Sequence, residues 1–456
     1  MDFASVIIIQ GSTMKVLFIT RSFAPDNNIA SKRITMLVKY LNKLGHEITV
    51  IRSGLIIGKA ETKNLDGLNN VKIYSYEGDD CAAECFEKYG KIQNMVTQEK
   101  NSYKDNISFF FRWHNFLKRF GHIVLDPFIY SKYEGEIIKN KIVNLYNSCK
   151  DIRGYDAIIS TFSPLGCIQA AEYIRSQEKA TWIIDFRDLM NNGNYTFFNR
   201  IINSFRQMRF VEKADACLCV SEGNRQKLIG RKEKYSGKIF TIYNGYEKDE
   251  ELLNQTDNKE KHVLRLCYTG TIYKGKQDFS PLFKVLRENR FSMPIVIDYA
   301  GHNSDIIIEQ AKKSKLENMI IDHGFLSRSE VSELQKQADI FLVLSWNTKH
   351  DQGILTGKFY EALQHRKPII ALVNGNMPQS ELKELIEQYH LGICYENASK
   401  VSSQLQLLEY IEKQIAKKQN NEELDYKPNE SVFGQFNYMD ITKQLEQIII
   451  KMTNKQ

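Results

Sequence analysis

The sequence has no long hydrophobic run, few histidines and no paired cysteine motif. No apolar stretch approaches the roughly 18–20 residues that a membrane-spanning helix needs. Val6–Ile9 is too short for a signal-peptide core, and no basic cluster precedes it. The nine histidines are scattered along the chain, which argues against a metal-centred enzyme. We therefore expect a cytoplasmic protein without a bound metal.

The eight cysteines form neither a Cys-x-x-Cys pair nor a Cys/His cluster with zinc spacing. Cys217 and Cys219 alternate along a predicted strand, where small apolar thiols are common. Cys81 and Cys85 lie four residues apart, and a metal or disulfide role stays open for this pair. We expect all the thiols to be reduced, as in a reducing compartment.

The formal net charge is +7 over 456 residues. This modest excess suits a partner that carries phosphate, but it is below the basicity of a dedicated nucleic-acid binder. We therefore expect no nucleic-acid partner.

Short apolar strands alternate with amphipathic helices, a pattern typical of a parallel sheet covered on both faces. The first group of predicted strands is Lys15–Thr20, Glu47–Ile51, Val71–Tyr74, Ala157–Ser160, Thr181–Asp185, Ala216–Val220 and Ile239–Tyr243. After a polar stretch the alternation restarts with Leu264–Tyr268, Ile295–Tyr299, Met319–Ile321, Ile340–Leu344 and Pro368–Leu372. Two similar groups predict two Rossmann-like α/β/α domains.

Four segments follow from this pattern. Residues 1–246 form the first domain, and residues 1–13 are an extension if Met14 is the natural start. Residues 247–262 are the linker, residues 263–425 the second domain, and residues 426–456 a segment that packs back on the first domain. Its last helix has an apolar face made of Ile441, Leu445, Ile448 and Met452.

Residues 76–150 fit the alternation poorly, because aromatic and basic residues are mixed there, as in Phe109–Arg112. One interpretation is a set of helices that cover the first sheet. The other is a peripheral membrane contact through residues 109–132 at the inner face of the plasma membrane, where a lipid-linked acceptor would lie.

The most informative segment is Gly353–Leu363, in which a loop ends at Gly357 and a helix begins. Backbone N–H groups at a helix start bind phosphate. Lys358 lies in the first turn, where the helix dipole disfavours a cation unless an anion is present. Glu361 projects from the same side one turn later and can reach a ribose diol. The alternative is a plain surface helix with an exposed Lys–Glu pair.

This segment resembles the donor-binding motif of glycosyltransferase family 4, whose members are retaining enzymes with the GT-B fold. Several further segments are similar to motifs of that family in the same order, namely Phe23–Pro25, Leu44–Val50, Asp185–Leu189, Ala214–Glu222, Tyr243–Tyr246, Tyr268–Gly270 with Lys276, and Ala338–Asp339. The resemblance implies two domains that face a cleft, and a sugar transfer in capsule, exopolysaccharide or O-antigen synthesis.

The resemblance also implies site residues. The donor, a UDP- or GDP-sugar, would bind at Gly270, Thr271, Lys276, Leu355, Thr356, Gly357, Lys358 and Glu361. The catalytic candidates are Asp185, Arg187 and Lys276, with Asp185 contacting a sugar and Arg187 orienting it. The alternative for Asp185 and Arg187 is a structural salt bridge at a strand end. No cofactor or protein-bound metal is implied, and the acceptor is a saccharide or lipid-linked saccharide.

Two positions depart from the family pattern. Gly353 stands where the first of two motif glutamates contacts the transferred sugar, and Thr271 stands where the phosphate loop has an arginine. Lys276 and Lys358 would then be the cations that remain to hold the diphosphate.

Rival functions remain open. Gly270–Gln277 nearly fits the P-loop pattern of a nucleotide hydrolase, with Ile295–Asp298 as its magnesium strand, but Gln277 replaces the required hydroxyl. A non-catalytic GT-B-like protein of a polysaccharide assembly complex is favoured by Gly353. A GT-B-shaped epimerase also remains possible, whereas a nicotinamide dehydrogenase lacks the Gly-x-Gly-x-x-Gly motif.

Overall fold

The computed structural model describes residues 13–26, 28–55, 65–76, 134–230, 232–248 and 260–455. Residues 1–12 of the predicted extension, Cys81, Cys85 and the aromatic-basic residues 109–132 lie outside the described residues. Most of the predicted linker lies outside them as well. No helix of the described ranges is both long and apolar enough to cross a membrane.

The chain divides into two compact units. The first comprises Met1–Cys219, Arg231–Phe240 and Thr442–Gln456, and the second comprises Val220–Gly230 and Thr241–Ile441. Each unit is therefore assembled from separate stretches of chain. The domain boundaries drawn from the sequence stay a prediction.

The first sheet, within the described residues, has seven strands in the order β3-β2-β1-β4-β5-β6-β7. These are β1 Lys15–Ile19, β2 Glu47–Ser53, β3 Lys72–Tyr76, β4 Ala157–Phe162, β5 Thr181–Phe186, β6 Ala216–Cys219 and β7 Ile239–Thr241. The pairs from β3 to β6 are parallel. The central strands are buried along most of their length, as expected when helices cover both faces.

The helices that follow these strands are α1 Ile29–Lys43, α2 over residues 134–148, α3 Leu165–Glu178 and α4 Phe197–Lys213. The side chain of Asn28 caps α1 by accepting from the Ser31 amide at 2.8 Å. The last helix of the chain, α13 (Tyr438–Thr453), contributes Glu446 to the first unit. His46 Nε2 lies 2.8 Å from Glu446 Oε1 and thereby ties this helix to the α1–β2 turn.

The second sheet, in the part of the chain that is described, has six strands in the order β10-β9-β8-β11-β12-β13. These are β8 Leu264–Thr269, β9 Ile295–Ala300, β10 Ile320–Asp322, β11 Ile340–Asn347, β12 Ile369–Gly375 and β13 Gly392–Glu396. All five pairs are parallel. Strands β9 and β10 lie on one side of β8, and β11 to β13 lie on the other, so the strand order switches between β8 and β11. Ligands of such sheets bind at the carboxyl ends of the strands at this switch point.

The helices of the second unit are α5 Glu222–Ile229, α6 Ser280–Glu288, α7 Ser304–Lys313, α8 Arg328–Gln337, α9 Gly357–Gln364, α10 Glu381–Gln388, α11 Lys400–Gln419 and α12 Ser431–Gln435. Alternate residues of β11 enter opposite cores. Leu342 and Leu344 belong to one apolar cluster, and Phe341 and Val343 belong to the other. Apolar layers on both faces explain why the strand sequence is almost continuously hydrophobic.

Candidate functional site

The start of α9 lies just after β11, at the switch point of the second sheet. Thr356 is its N-cap residue, but its side chain makes no capping hydrogen bond. By contrast, Ser221, Ser327 and Ser380 each accept a helix amide at the starts of α5, α8 and α10. A Cβ atom placed on Gly357 would meet only Glu361 Oε1, at 4.0 Å. The positive end of this helix dipole is therefore open to an anion.

Lys358 and Glu361 form a close pair beside the helix start. Lys358 Nζ lies 2.6 Å and 2.7 Å from the two carboxylate oxygens of Glu361. Gln335 is buried and donates to Glu361 Oε2 at 2.6 Å and to the Thr269 hydroxyl at 2.8 Å. Thr269 is the last residue of β8. The carboxylate is thus oriented from the sheet side, which distinguishes the pair from an ordinary exposed Lys–Glu contact.

Gly270 lets Lys358 approach the loop after β8. Its φ of +127° is one that L side chains rarely adopt, and a Cβ atom there would lie 3.0 Å from Lys358 Cε. Tyr299 donates to the Gly270 carbonyl at 3.0 Å and holds this loop to β9. The glycine therefore places the Lys358 ammonium directly over the loop backbone.

Lys276 lies at the far end of the same loop. Its Nζ is 3.8 Å from Asp351 Oδ2 and 4.8 Å from the ring centre of Trp346. Trp346 donates to the same Asp351 oxygen at 3.3 Å. About a third of the Lys276 side chain is exposed. The structure therefore places Lys276 beside the loop that leads into α9, with an aromatic ring and a carboxylate as neighbours.

The other predicted donor residues also lie in these two loops. Thr271 is exposed after β8, and its carbonyl accepts from Tyr268 at 3.2 Å. Leu355 is half-buried and packs against an apolar cluster, next to Thr356. All eight predicted donor residues thus belong to the loops after β8 and β11 or to the first turns of α9.

Gly353 occupies a position with no room for a side chain. Its φ is +68°, and a Cβ atom would lie 2.4 Å from Ser221 Oγ and 2.8 Å from Glu381 Oε2. A glutamate at this position, as in the family pattern, does not fit the present backbone. The packing of the second unit therefore admits glycine at position 353 and excludes the glutamate of the family pattern.

Glu381, which sequence reasoning missed, fills the space beside Gly353. Its two oxygens accept the amides of Glu222 and Gly223, both at 2.8 Å. Tyr243 donates to the same carboxylate at 2.9 Å. Burial raises the pKa of the Glu381 carboxyl above its ordinary value. Its sequence neighbourhood did not indicate a role, because an acidic residue in the first turn of a helix such as α10 is common.

In the first unit, Asp185 is fully buried at the end of β5. Arg33, from α1, donates to its two oxygens at 2.9 Å and 3.0 Å. The sequence predicted Arg187 as the orienting partner of Asp185, but the two hydrogen bonds to the carboxylate come from Arg33. Arg187 donates instead to the carbonyls of Phe162 and Ser163, at 3.3 Å and 3.1 Å. The Arg33 side chain reaches the carboxyl end of β5 from α1, and sequence spacing did not reveal this.

Gln277 and Asp298, the two residues on which the P-loop alternative depends, have structural partners. Gln277 is buried, accepts the Tyr273 amide at 2.9 Å and donates to the Leu344 carbonyl at 3.0 Å. Asp298 is buried in a pair with Arg265 at 2.8 Å. Both side chains hold the sheet and its loops together, so neither supports the hydrolase interpretation.

No protein-family model matches the sequence, and no relative is found among curated proteins. Solved structures do match in fold. The lipopolysaccharide outer core galactosyltransferase WaaB aligns over 96% of this chain and 99% of its own, with a TM-score of 0.56 and 13% identity. Sucrose-phosphate synthase from Thermosynechococcus elongatus aligns over 97% and 100%, with a TM-score of 0.59 and 11% identity.

HepE from Anabaena, in complex with UDP-glucose, aligns over 96% of this chain and 100% of its own, with a TM-score of 0.54 and 13% identity. At these identities the likeness concerns the fold. The chain has the α/β architecture of GT-B glycosyltransferases, with two parallel sheets, and the predicted fold class is confirmed in these terms.

Proposed function

We propose that this protein is a glycosyltransferase that moves a sugar from a nucleotide-sugar donor, UDP- or GDP-linked, to a saccharide or lipid-linked acceptor. The observation that carries the proposal is the open start of α9 beside Lys358 and Glu361, at the switch point of the second sheet. An anionic group and a diol are the ligand features that suit this arrangement.

The chemistry follows from the contacts. The diphosphate of the donor accepts from the amides at the start of α9, and Lys358 turns from Glu361 toward it. Glu361, still held by Gln335, then accepts from the ribose hydroxyls. Lys276 approaches the same diphosphate from the loop after β8. These groups stabilise the negative charge that develops on the leaving diphosphate, and they do so without solvent reorganisation.

The finer parts of the proposal rest on the family resemblance. They are membership of glycosyltransferase family 4, retention at the anomeric carbon, a metal-independent reaction, and a cytoplasmic role in polysaccharide synthesis. The fold neighbours support nucleotide binding, since HepE was solved with UDP-glucose and with UDP. Starch synthase IV, another neighbour, was solved with ADP and acarbose. Asp185 and Arg187 are proposed to serve the sugar side of the reaction in the first unit.

A thermal-shift screen over UDP-, GDP- and ADP-sugars tests the donor site. We expect one nucleotide series to raise the melting temperature, and the matching free diphosphate to raise it as well. The selected donor is then incubated with saccharide and lipid-linked acceptors, and the products are analysed by mass spectrometry. If no nucleotide or nucleotide sugar stabilises the protein, the proposed function is wrong.

A second candidate, a non-catalytic GT-B-like binding protein of a polysaccharide assembly complex, is favoured by Gly353. The packing around this residue excludes the glutamate that contacts the transferred sugar in the resembled family. In calorimetry, absence of binding to every UDP-, GDP- and ADP-sugar would favour this candidate over the enzyme.

A further inference from the structure

One side of helix α4 is strongly apolar and exposed to solvent. Four large side chains lie there, with exposed fractions of 62% for Phe197, 44% for Phe198, 41% for Ile201 and 76% for Phe205. We call these four residues the α4 apolar surface. At 100° per residue they occupy one side of the first three turns. Contiguous exposed apolar residues of this kind mark interaction sites in soluble proteins.

The opposite side of α4 is firmly packed. Asn199, Gln207, Phe210 and Val211 are buried. Gln207 accepts the amide of Met190 at 2.6 Å, which anchors the helix to the segment before it. These inner contacts therefore fix which side of α4 faces the solvent.

Basic residues border the α4 apolar surface. Arg209 is exposed at one edge of the helix. Arg200 and Arg206 are half-buried, and Arg200 donates to the Tyr195 carbonyl at 2.7 Å. Glu212 is the one acidic residue within α4, and it lies beyond the aromatic turns. An apolar stripe with a basic margin has the composition of helices that lie in the interface of anionic membranes.

We propose that the α4 apolar surface seats this protein on an anionic lipid bilayer. The exposed Arg209 beside the aromatic residues complements acidic headgroups, because a basic side chain near an anionic surface is attracted to it. A second copy of the chain is a poorer occupant. Aromatic side chains bury about 150–250 Å² each. Four partly exposed residues therefore fall short of the roughly 800 Å² that each partner of a stable dimer contributes.

The experiment is flotation of the full chain with phosphatidylcholine vesicles, with and without phosphatidylglycerol. We expect binding to the anionic vesicles and weaker binding at high salt. The double variant F197S/F205S should reduce binding at least about tenfold, because it removes the two most exposed aromatic anchors. Arg209→Gln should reduce binding to anionic vesicles about fivefold.

The matched control is V401S/L405S. These residues are 79% and 60% exposed on α11, where Glu409 and Glu412 follow them. The control should bind vesicles like the wild type, and all variants should keep the wild-type melting temperature. The proposal is overturned if the wild type stays unbound at low salt, or if F197S/F205S floats like the wild type. It is also overturned if ultracentrifugation shows a dimer that this variant abolishes.

Discussion

Glu361→Ala is expected to weaken binding of the nucleoside diphosphate that the donor screen selects. In the proposed complex the carboxylate accepts charge-assisted hydrogen bonds from the ribose, worth on the order of 1.5–3 kcal/mol. At about 1.4 kcal/mol per factor of ten, the dissociation constant should rise roughly 10- to 150-fold. The free energy of unfolding should fall little, because the Lys358–Glu361 ion pair is partly exposed and such pairs contribute little to stability.

Calorimetry with the diphosphate and with its 2′,3′-dideoxy analogue isolates the ribose contact. The wild type should prefer the natural ligand, and Glu361→Ala should bind the two equally. The matched control is Glu333→Ala, which removes the acid of another i,i+3 pair of the second unit, where Lys336 Nζ lies 2.6 Å from Glu333 Oε1. This control should bind both ligands like the wild type.

Two results would refute the reasoning. If Glu361→Ala binds the diphosphate as tightly as the wild type, the carboxylate does not contact the ligand. If it binds more weakly but still prefers the natural ligand by the wild-type factor, Glu361 acts through the Lys358 position rather than through the ribose.

Lys276→Ala should slow sugar transfer more than it lowers the melting temperature, since its pair with Asp351 is partly exposed. An unchanged rate with a large loss of stability would make Lys276 structural. Gly353→Ala should destabilise the fold by at least about 2 kcal/mol in urea unfolding, from the left-handed backbone and the contact at 2.4 Å. Gly357→Ala should keep or raise stability, because alanine favours a helix, yet it should weaken diphosphate binding by covering the helix start. Equal binding would place the anion elsewhere. Glu381→Gln should change the pH dependence of stability. Because burial raises the folded pKa of Glu381 above its ordinary 4.5, the native state binds more protons than the unfolded state just above pH 4.5. The contribution of Glu381 to the free energy of unfolding then falls as the pH rises above 4.5 and through the folded-state pKa. The variant should flatten this slope in unfolding measurements, and an unchanged slope would mean that Glu381 titrates alike in both states.

Local periodicity was enough to predict most of the fold. The strands expected at Glu47–Ile51 and Thr181–Asp185 are present as β2 and β5, each extended by one or two residues. The sequence did not predict β13, Gly392–Glu396, because it is a five-residue strand that begins with glycine. Glycine is depleted in strands, and only Ile393, Cys394 and Tyr395 are apolar in this segment.

The proposed donor residues could be named from the sequence because they lie close together along the chain. The open helix start, Lys358 and Glu361 lie within five residues of each other. The contacts that orient them are not local. Gln335 reaches Glu361 across 26 residues, and Glu381 accepts the amide of Glu222 across 159. Arg33 reaches Asp185 across 152 residues, which is why an adjacent arginine was assigned to that carboxylate instead.

The contact between Glu381 and α5 has a practical consequence for dissecting the protein. A fragment that begins at Thr241 would omit Val220–Gly230, a stretch that belongs to the second unit. Without this stretch the Glu381 carboxylate would lose both of its amide donors, and Gly353 would lose the neighbours that surround it. The second unit should therefore be recovered in soluble form only when that short helix is supplied, either in the same polypeptide or as an added peptide.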